Sequence, residues 1–143
     1  MDYKKFFYDI LDKATEIALA TSVGNIPNVR IVSFCRDESI PDVIYYQTNN
    51  LKSKKVSDIV QNNNVAFTTA PIGKTIANVR SVSATARKSE RTFDELEHLF
   101  IAKVPEYEEI YKQYAHTLTV FEIHIKKAIV VVDYGVNPGI VEF

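Results

Sequence analysis

The run Val43-Ile44-Tyr45-Tyr46-Gln47-Thr48, continued by Asn49-Asn50-Leu51-Lys52-Ser53-Lys54-Lys55-Val56, decides how the chain is read. Its first half is β-branched and aromatic, the composition of a strand. Ser53 then stands where the N-cap of a short helix over 52–61 belongs, with Val56, Ile59 and Val60 as the apolar positions of that helix. Asn62-Asn63-Asn64 ends the helix and 65–69 reads as the next strand.

Working outward toward the N-terminus, 28–36 is a second β-rich run, the cluster Gly24-Asn25-Ile26-Pro27 a turn, and 17–21 a short apolar strand. Before these, Phe6, Phe7, Ile10, Leu11 and Ala14 recur at helical spacing, which predicts an amphipathic helix over 3–15. Toward the C-terminus, 76–87 reads as a long strand. Helices follow over 92–102 and 106–114, Pro105 standing near the start of the second. In 118–134, Phe121, Ile123 and Ile125 alternate with Glu122, His124 and Lys126, the period of a sheet with one buried face. Five or six strands on short turns, with helical interruptions, predict a mainly β fold. The expected form is an antiparallel barrel of about six strands with an N-terminal helix and peripheral helices. An α+β sandwich with helices on one face is the alternative. No repeat or linker divides 1–143, so a single domain is expected.

Composition narrows the function. The chain has 143 residues, 46% hydrophobic and 24% charged, the balance of a folded protein. A net charge of −1 supplies no overall field for nucleic acid or an acidic membrane, so neither is an expected partner. The apolar run at 128–132 falls far short of the roughly 20 residues that cross a bilayer. A single cysteine, Cys35, excludes an intrachain disulfide and points to the cytoplasm. His98, His116 and His124 do not fall at zinc-ligand spacing, so no metal site is expected. Four glycines cannot compose a Walker loop or a dinucleotide fingerprint.

Chemistry concentrates around the opening stretch. A helix N-terminus carries partial positive charge, which lysines oppose and an anion relieves. First-turn amides, the Ser53 hydroxyl and the ammonium groups of Lys54 and Lys55, with Lys52 just before the cap, compose a phosphate receptor. The same lysines also fit a solvated face. Arg30 shares a strand face with Val32 and Phe34, so its guanidinium needs a partner, an oxyanion or water at an edge strand. Thr48 ends its strand within reach of an anion at the helix start.

The pieces Ala18-Leu19-Ala20-Thr21, Pro27-Asn28-Val29-Arg30-Ile31-Val32-Ser33-Phe34, Tyr45-Tyr46-Gln47-Thr48-Asn49, Ser53-Lys54-Lys55-Val56 and Asn62-Asn63-Asn64-Val65 occur in an order that resembles the pyridoxamine 5′-phosphate oxidase-like flavin-binding split barrels. The strand at 79–86 fits a later family strand; beyond residue 90 the likeness is one of element order. The resemblance implies a split β-barrel that binds flavin mononucleotide (FMN) in a groove at a homodimer interface. Arg30, Lys54 and Lys55 would hold the phosphate, and Ile31, Val32 and Ser33 would run along the ribityl chain and ring. Gln47 and Thr48 would also touch the cofactor.

The activity so implied is that of an FMN-dependent oxidoreductase acting on a small molecule. A non-catalytic module that binds flavin, haem or a deazaflavin is the alternative. A further one is a structural dimer whose lysines meet only solvent. Cys35 stands where pyridoxamine phosphate oxidases carry a lysine, and 137–143 lacks their basic, histidine-containing motif. Recognition of a vitamin B6 phosphate is therefore not expected. No catalytic acid or base is assigned. His116 and His124 are candidates for proton delivery or plain surface groups, and Cys35 a redox thiol or a small core residue. Tyr107, Tyr111 and Tyr114 are spaced for helix packing or an interface.

Overall fold

The computed structural model describes residues 1–49 and 53–143, so Lys52, read above as flanking the cap, lies outside the described residues with Asn50 and Leu51. The chain opens with helix α1, Tyr3–Lys13, capped by the Asp2 carboxylate, which accepts from the Lys5 amide. Strands β1, Glu16–Val23, and β2, Ile26–Arg36, form a hairpin. Its two-residue turn needs left-handed backbone at both positions, which Gly24 (φ 55) and Asn25 (φ 65) supply. After β3, Val43–Thr48, come α2, Lys54–Gln61, and strands β4, Asn64–Thr69, and β5, Asn78–Lys88.

Helix α3, Phe93–Lys103, starts at a capping box between Thr92 and Glu95. A 3₁₀ turn at Pro105–Tyr107 leads into α4, Glu108–Tyr114; β6, Thr119–Val131, and β7, Gly139–Glu142, finish the fold. The strand β7 has no counterpart in the sequence reading.

The strands run antiparallel in the order β3-β2-β1-β4-β5-β6-β7, and pairing of β3 with β6 closes the first six into a barrel, leaving β7 as an extra strand beside β6. The structure is thus the barrel and not the sandwich. Alternation along the strands sends Leu19, Phe34, Tyr46, Phe67 and Ile123 into the interior. Phe7 and Leu11 of α1 close the end where β1 begins, and α2 lies where β1 finishes.

A second apolar cluster lies outside the barrel, where Cys35, Val43 and Tyr45 pack under Phe93, Leu96 and Phe100 of α3 and Tyr111 of α4. This is why β3 reads as apolar throughout: Ile44 and Tyr46 face the interior, Val43 and Tyr45 the helices. On α2 the expectation needs correction. Val60 is 83% exposed, while the carboxylate residue Asp58 is buried beside Val56 and Ile59. A hydrogen-bonded polar group, rather than a third aliphatic one, completes the docked face of α2.

Candidate functional site

The barrel is incompletely laced. Strands β2 and β3 pair only through Phe34↔Tyr46, Cys35↔Tyr45 and Arg36↔Ile44; beyond that point they diverge. A groove of about 340 Å³ opens in the gap. Ile31, Val32 and Ser33 line it from β2, with Gln47, Thr48 and Asn49 on the facing side. Lys55 enters from α2, the one charged side chain among the described residues of the lining. Ile110, Tyr111, Tyr114 and Leu118 close the groove from α4 and the turn after it. Each diverging strand turns a ladder-free backbone edge toward the other, a source of directed donors and acceptors.

Six of the nine residues expected from the sequence to contact a cofactor therefore share this lining: Ile31, Val32, Ser33, Gln47, Thr48 and Lys55. Arg30, Ser53 and Lys54 do not line it. Arg30 points inward with Val32 and Phe34. Its Nη1 donates to the Leu19 carbonyl at 3.2 Å and to Thr21 Oγ1 at 2.9 Å, and Nη2 donates to Asn28 Oδ1 at 2.8 Å. A guanidinium has five N–H donors, so the Nε proton and one on Nη2 remain without a partner among the described residues.

Burial lowers the pKa of Arg30, opposed by Asp58 and by the Tyr46 hydroxyl. Burial likewise lowers that of Lys55, and the neighbouring charge of Arg30 pushes in the same direction. Lys55 makes no ion pair among the described residues. Lys54 is exposed and bonds Asp58 Oδ1 at 3.0 Å.

Ser53 is the N-cap residue of α2, as expected, but its side chain makes no cap bond. Its Oγ is buried without a hydrogen-bond partner among the described residues, as is the hydroxyl of Tyr46. An unsatisfied buried hydroxyl is costly, on the order of 1–3 kcal/mol, and at a helix start it is suited to an anion. The residues present thus fit a phosphate group.

Tyr111, read above as packing, packs and also lines the groove. Burial pushes its hydroxyl up, against hydrogen bonding from Gln47 and Ser33. Tyr114 is half-exposed over the groove, whereas Tyr107 meets Tyr111 edge-on from outside the lining. The sequence reading missed Asn49 as a lining residue, and Ile110, Leu118, Thr21 and Asp58 altogether. The carboxylate of a helix otherwise spaced for core packing was the one available signal for Asp58.

The histidines and the cysteine sit elsewhere. His124 pairs with Glu122 at 2.8 Å in a larger groove of about 470 Å³, where Arg87 and Ser89 donate to the same carboxylate. Those polar groups satisfy one another. His98 and His116 are exposed. Cys35 is buried and its thiol is pushed up to about 12 by burial, which leaves it a core residue without thiolate reactivity. Among the described residues no cluster of three or more His, Cys, Asp or Glu side chains could hold a metal, and no helix is long and apolar enough to cross a membrane.

Comparison with solved structures shows the same fold. General stress protein 26 from Bacillus anthracis superposes with a TM-score of 0.74 at 16% identity, covering 100% of both chains. A NimC/NimA family protein from Clostridium acetobutylicum gives 0.67 at 17% identity, covering 98% of this chain and 92% of its own. A heme binding protein from Mycobacterium smegmatis gives 0.75 at 15% identity, covering 99% of this chain and 58% of its own. No curated protein matches the sequence. A family profile described as pyridoxamine 5′-phosphate oxidase-like matches residues 10–137. The chain belongs to the pyridoxamine 5′-phosphate oxidase-like family.

Proposed function

We propose that the protein is an FMN-dependent oxidoreductase acting on a small molecule, with the flavin in the groove between β2 and β3. The observation that carries this reading is Lys55, a half-buried cation in the groove lining with no acidic partner among the described residues. A phosphate dianion supplies the counter-charge that this desolvated ammonium lacks.

In this reading Arg30, Ser53, Lys54 and Lys55 hold the phosphate with Thr48. Ile31, Val32, Ser33 and Gln47 border the ribityl chain and ring. The bound flavin supplies hydride and electron transfer. The chain's own contribution is position, exclusion of water by Ile110, Tyr111 and Tyr114, and backbone donors at the open strand edges.

The functional unit of this reading is a homodimer. On the outer face, Ile31 lies opposite Ala18, and Val29 opposite Ala20, which lies opposite Ala66. Val29 and Ile31 are 65% and 62% exposed, and Ile31 belongs to both this apolar row and the groove. A second copy on this face buries the row and walls the groove. The single buried Cys35 suits a reducing, cytoplasmic setting.

The test is reconstitution with FMN followed by visible spectroscopy. The expected result is a perturbed flavin spectrum, bleaching by NADH or NADPH, and reoxidation by a small-molecule acceptor. Free flavin unchanged at micromolar protein overturns the reading.

A second reading, a non-catalytic flavin, haem or deazaflavin module, is favoured by the absence of an acid or imidazole from the described lining. Flavin that binds but turns over with no acceptor, or a haem that saturates in its place, selects that reading.

A further inference from the structure

Resting on the phosphate site above, we infer that Asp58 is a positioning residue that fixes the Arg30 guanidinium through the hydroxyl of Thr21. Thr21 Oγ1 donates to Asp58 Oδ2 at 2.7 Å and accepts from Arg30 Nη1 at 2.9 Å. A threonine has one hydroxyl proton. The carboxylate claims it, so the lone pairs of Thr21 are presented to Arg30 and the polarity of the chain is set.

Both Thr21 and Asp58 are 2% exposed, so water does not compete for these bonds. The three residues come from β1, β2 and α2 and meet where α2 covers the barrel end. Asp58 also bonds Lys54 through its other oxygen at 3.0 Å. One carboxylate thus orients two of the expected phosphate ligands, while Lys55 in the groove is left to the anion. With Arg30 held on Thr21, the Leu19 carbonyl and Asn28, its spare Nε and Nη2 donors have a fixed direction.

The opposing possibility is that Asp58 acts on an anion only by repulsion. The two differ in sign. Neutralising a repelling carboxylate strengthens phosphate binding; removing a positioning group weakens it. Riboflavin, which lacks the phosphate, separates either effect from damage to the groove.

The experiment measures dissociation constants for FMN and riboflavin by fluorescence quenching, with a thermal melt of each variant. The proteins are the wild type, Thr21→Val, Thr21→Ser and Asp58→Asn. Thr21→Val severs the relay at constant volume and should weaken FMN binding roughly tenfold while leaving riboflavin unchanged, the size of one charge-assisted hydrogen bond. Thr21→Ser should restore wild-type FMN affinity, and Asp58→Asn should weaken FMN alone.

An unchanged FMN-to-riboflavin ratio in Thr21→Val overturns the inference, and so does a ratio raised by Asp58→Asn. Equal losses for both ligands, tracking a lowered melting temperature, also overturn it in favour of a structural role. A wild type that binds both flavins equally well contradicts the phosphate site itself and not only the relay.

Discussion

Lys103 at the end of α3 donates to the carbonyl of Ala14 at 2.6 Å and to that of Leu11, closing the C-terminus of α1 with a residue 89 positions away. Its ammonium lies 4.3 Å above the Phe34 ring, and burial lowers its pKa from 10.5 to about 8. Between those values the unfolded chain carries the proton that the folded chain has released. Stability from this group therefore rises as pH climbs from about 8 toward 10.5. Burial of the Cys35 thiol and the Tyr46 hydroxyl acts in the opposite sense as pH rises. The quantity to measure is therefore the midpoint of wild type relative to Lys103→Met in thermal melts, which should rise over that window. A difference that stays constant or falls from about 8 to 10.5 contradicts the assignment.

At the acid end the sign reverses. Hydrogen bonds from Thr21 and Lys54 hold the Asp58 carboxyl below its usual value, and those from Ser39 and Arg91 hold Asp37 at about 2. Each contributes stability that is present above the ordinary carboxylate value of 3.8 and is lost as pH falls through the folded one. The double variant Asp37→Asn, Asp58→Asn should be less stable than wild type at pH 7 and should lose less further stability between pH values of about 4 and 2. Parallel acid limbs for the two proteins would rule this out.

Gly139 on β7 lies against the Tyr3 ring: a Cβ built there falls 2.1 Å from Cγ and Cδ1. The Tyr3 hydroxyl donates to the Asn137 carbonyl at 2.8 Å, which restrains the ring from moving aside. Gly139→Ala should cost about 1–3 kcal/mol, as overpacking does. Urea denaturation reads it as a lower midpoint at constant slope, and adding Tyr3→Ala should return part of the loss. A Gly139→Ala protein as stable as wild type would mean that β7 is free to shift.

A charge placed in the exposed apolar row should separate two copies if that row is an interface. Val29→Glu and Ile31→Glu are each expected to give a monomer by sedimentation where the wild type gives a dimer, with flavin affinity falling alongside. Wild type sedimenting as a monomer at tens of micromolar would exclude the dimer.

Much of this architecture was written locally. The alternation of Phe121, Ile123 and Ile125 with polar neighbours, the turn cluster at Gly24-Asn25 and the helical run over 92–102 are properties of adjacent residues, and the elements formed where those signals stood. Asp58 was passed over because apolar spacing put Val60 on the docked face of α2, and nothing in the sequence near Asp58 says that the Thr21 hydroxyl meets it there. The groove was implied only by the family resemblance, and the break in pairing that opens it was not legible in the residues themselves. Nothing within 26–36 or 43–48 announces that pairing stops at Phe34↔Tyr46, since the divergence depends on how both strands pair elsewhere. Four-residue β7 carries too short a pattern to be read, and its pairing with β6 is what makes it a strand.

Arg30→Ala removes a charge-assisted donor pair from the proposed phosphate site and should weaken FMN binding by about 2–4 kcal/mol in a calorimetric titration. Riboflavin affinity should change far less. Equal losses for the two ligands would place Arg30 among the structural residues.

In the proposed complex the flavin phosphate settles where α2 begins, with the ring in the gap that β2 and β3 leave open. Diffraction from crystals grown with FMN locates both. Phosphate oxygens are expected within hydrogen-bond distance of Arg30, Ser53 and Lys55, with the ring bordered by Ile31–Ser33 and Gln47. Flavin density in the groove beside Glu122 and His124, or against α1 and Ile72, would contradict it.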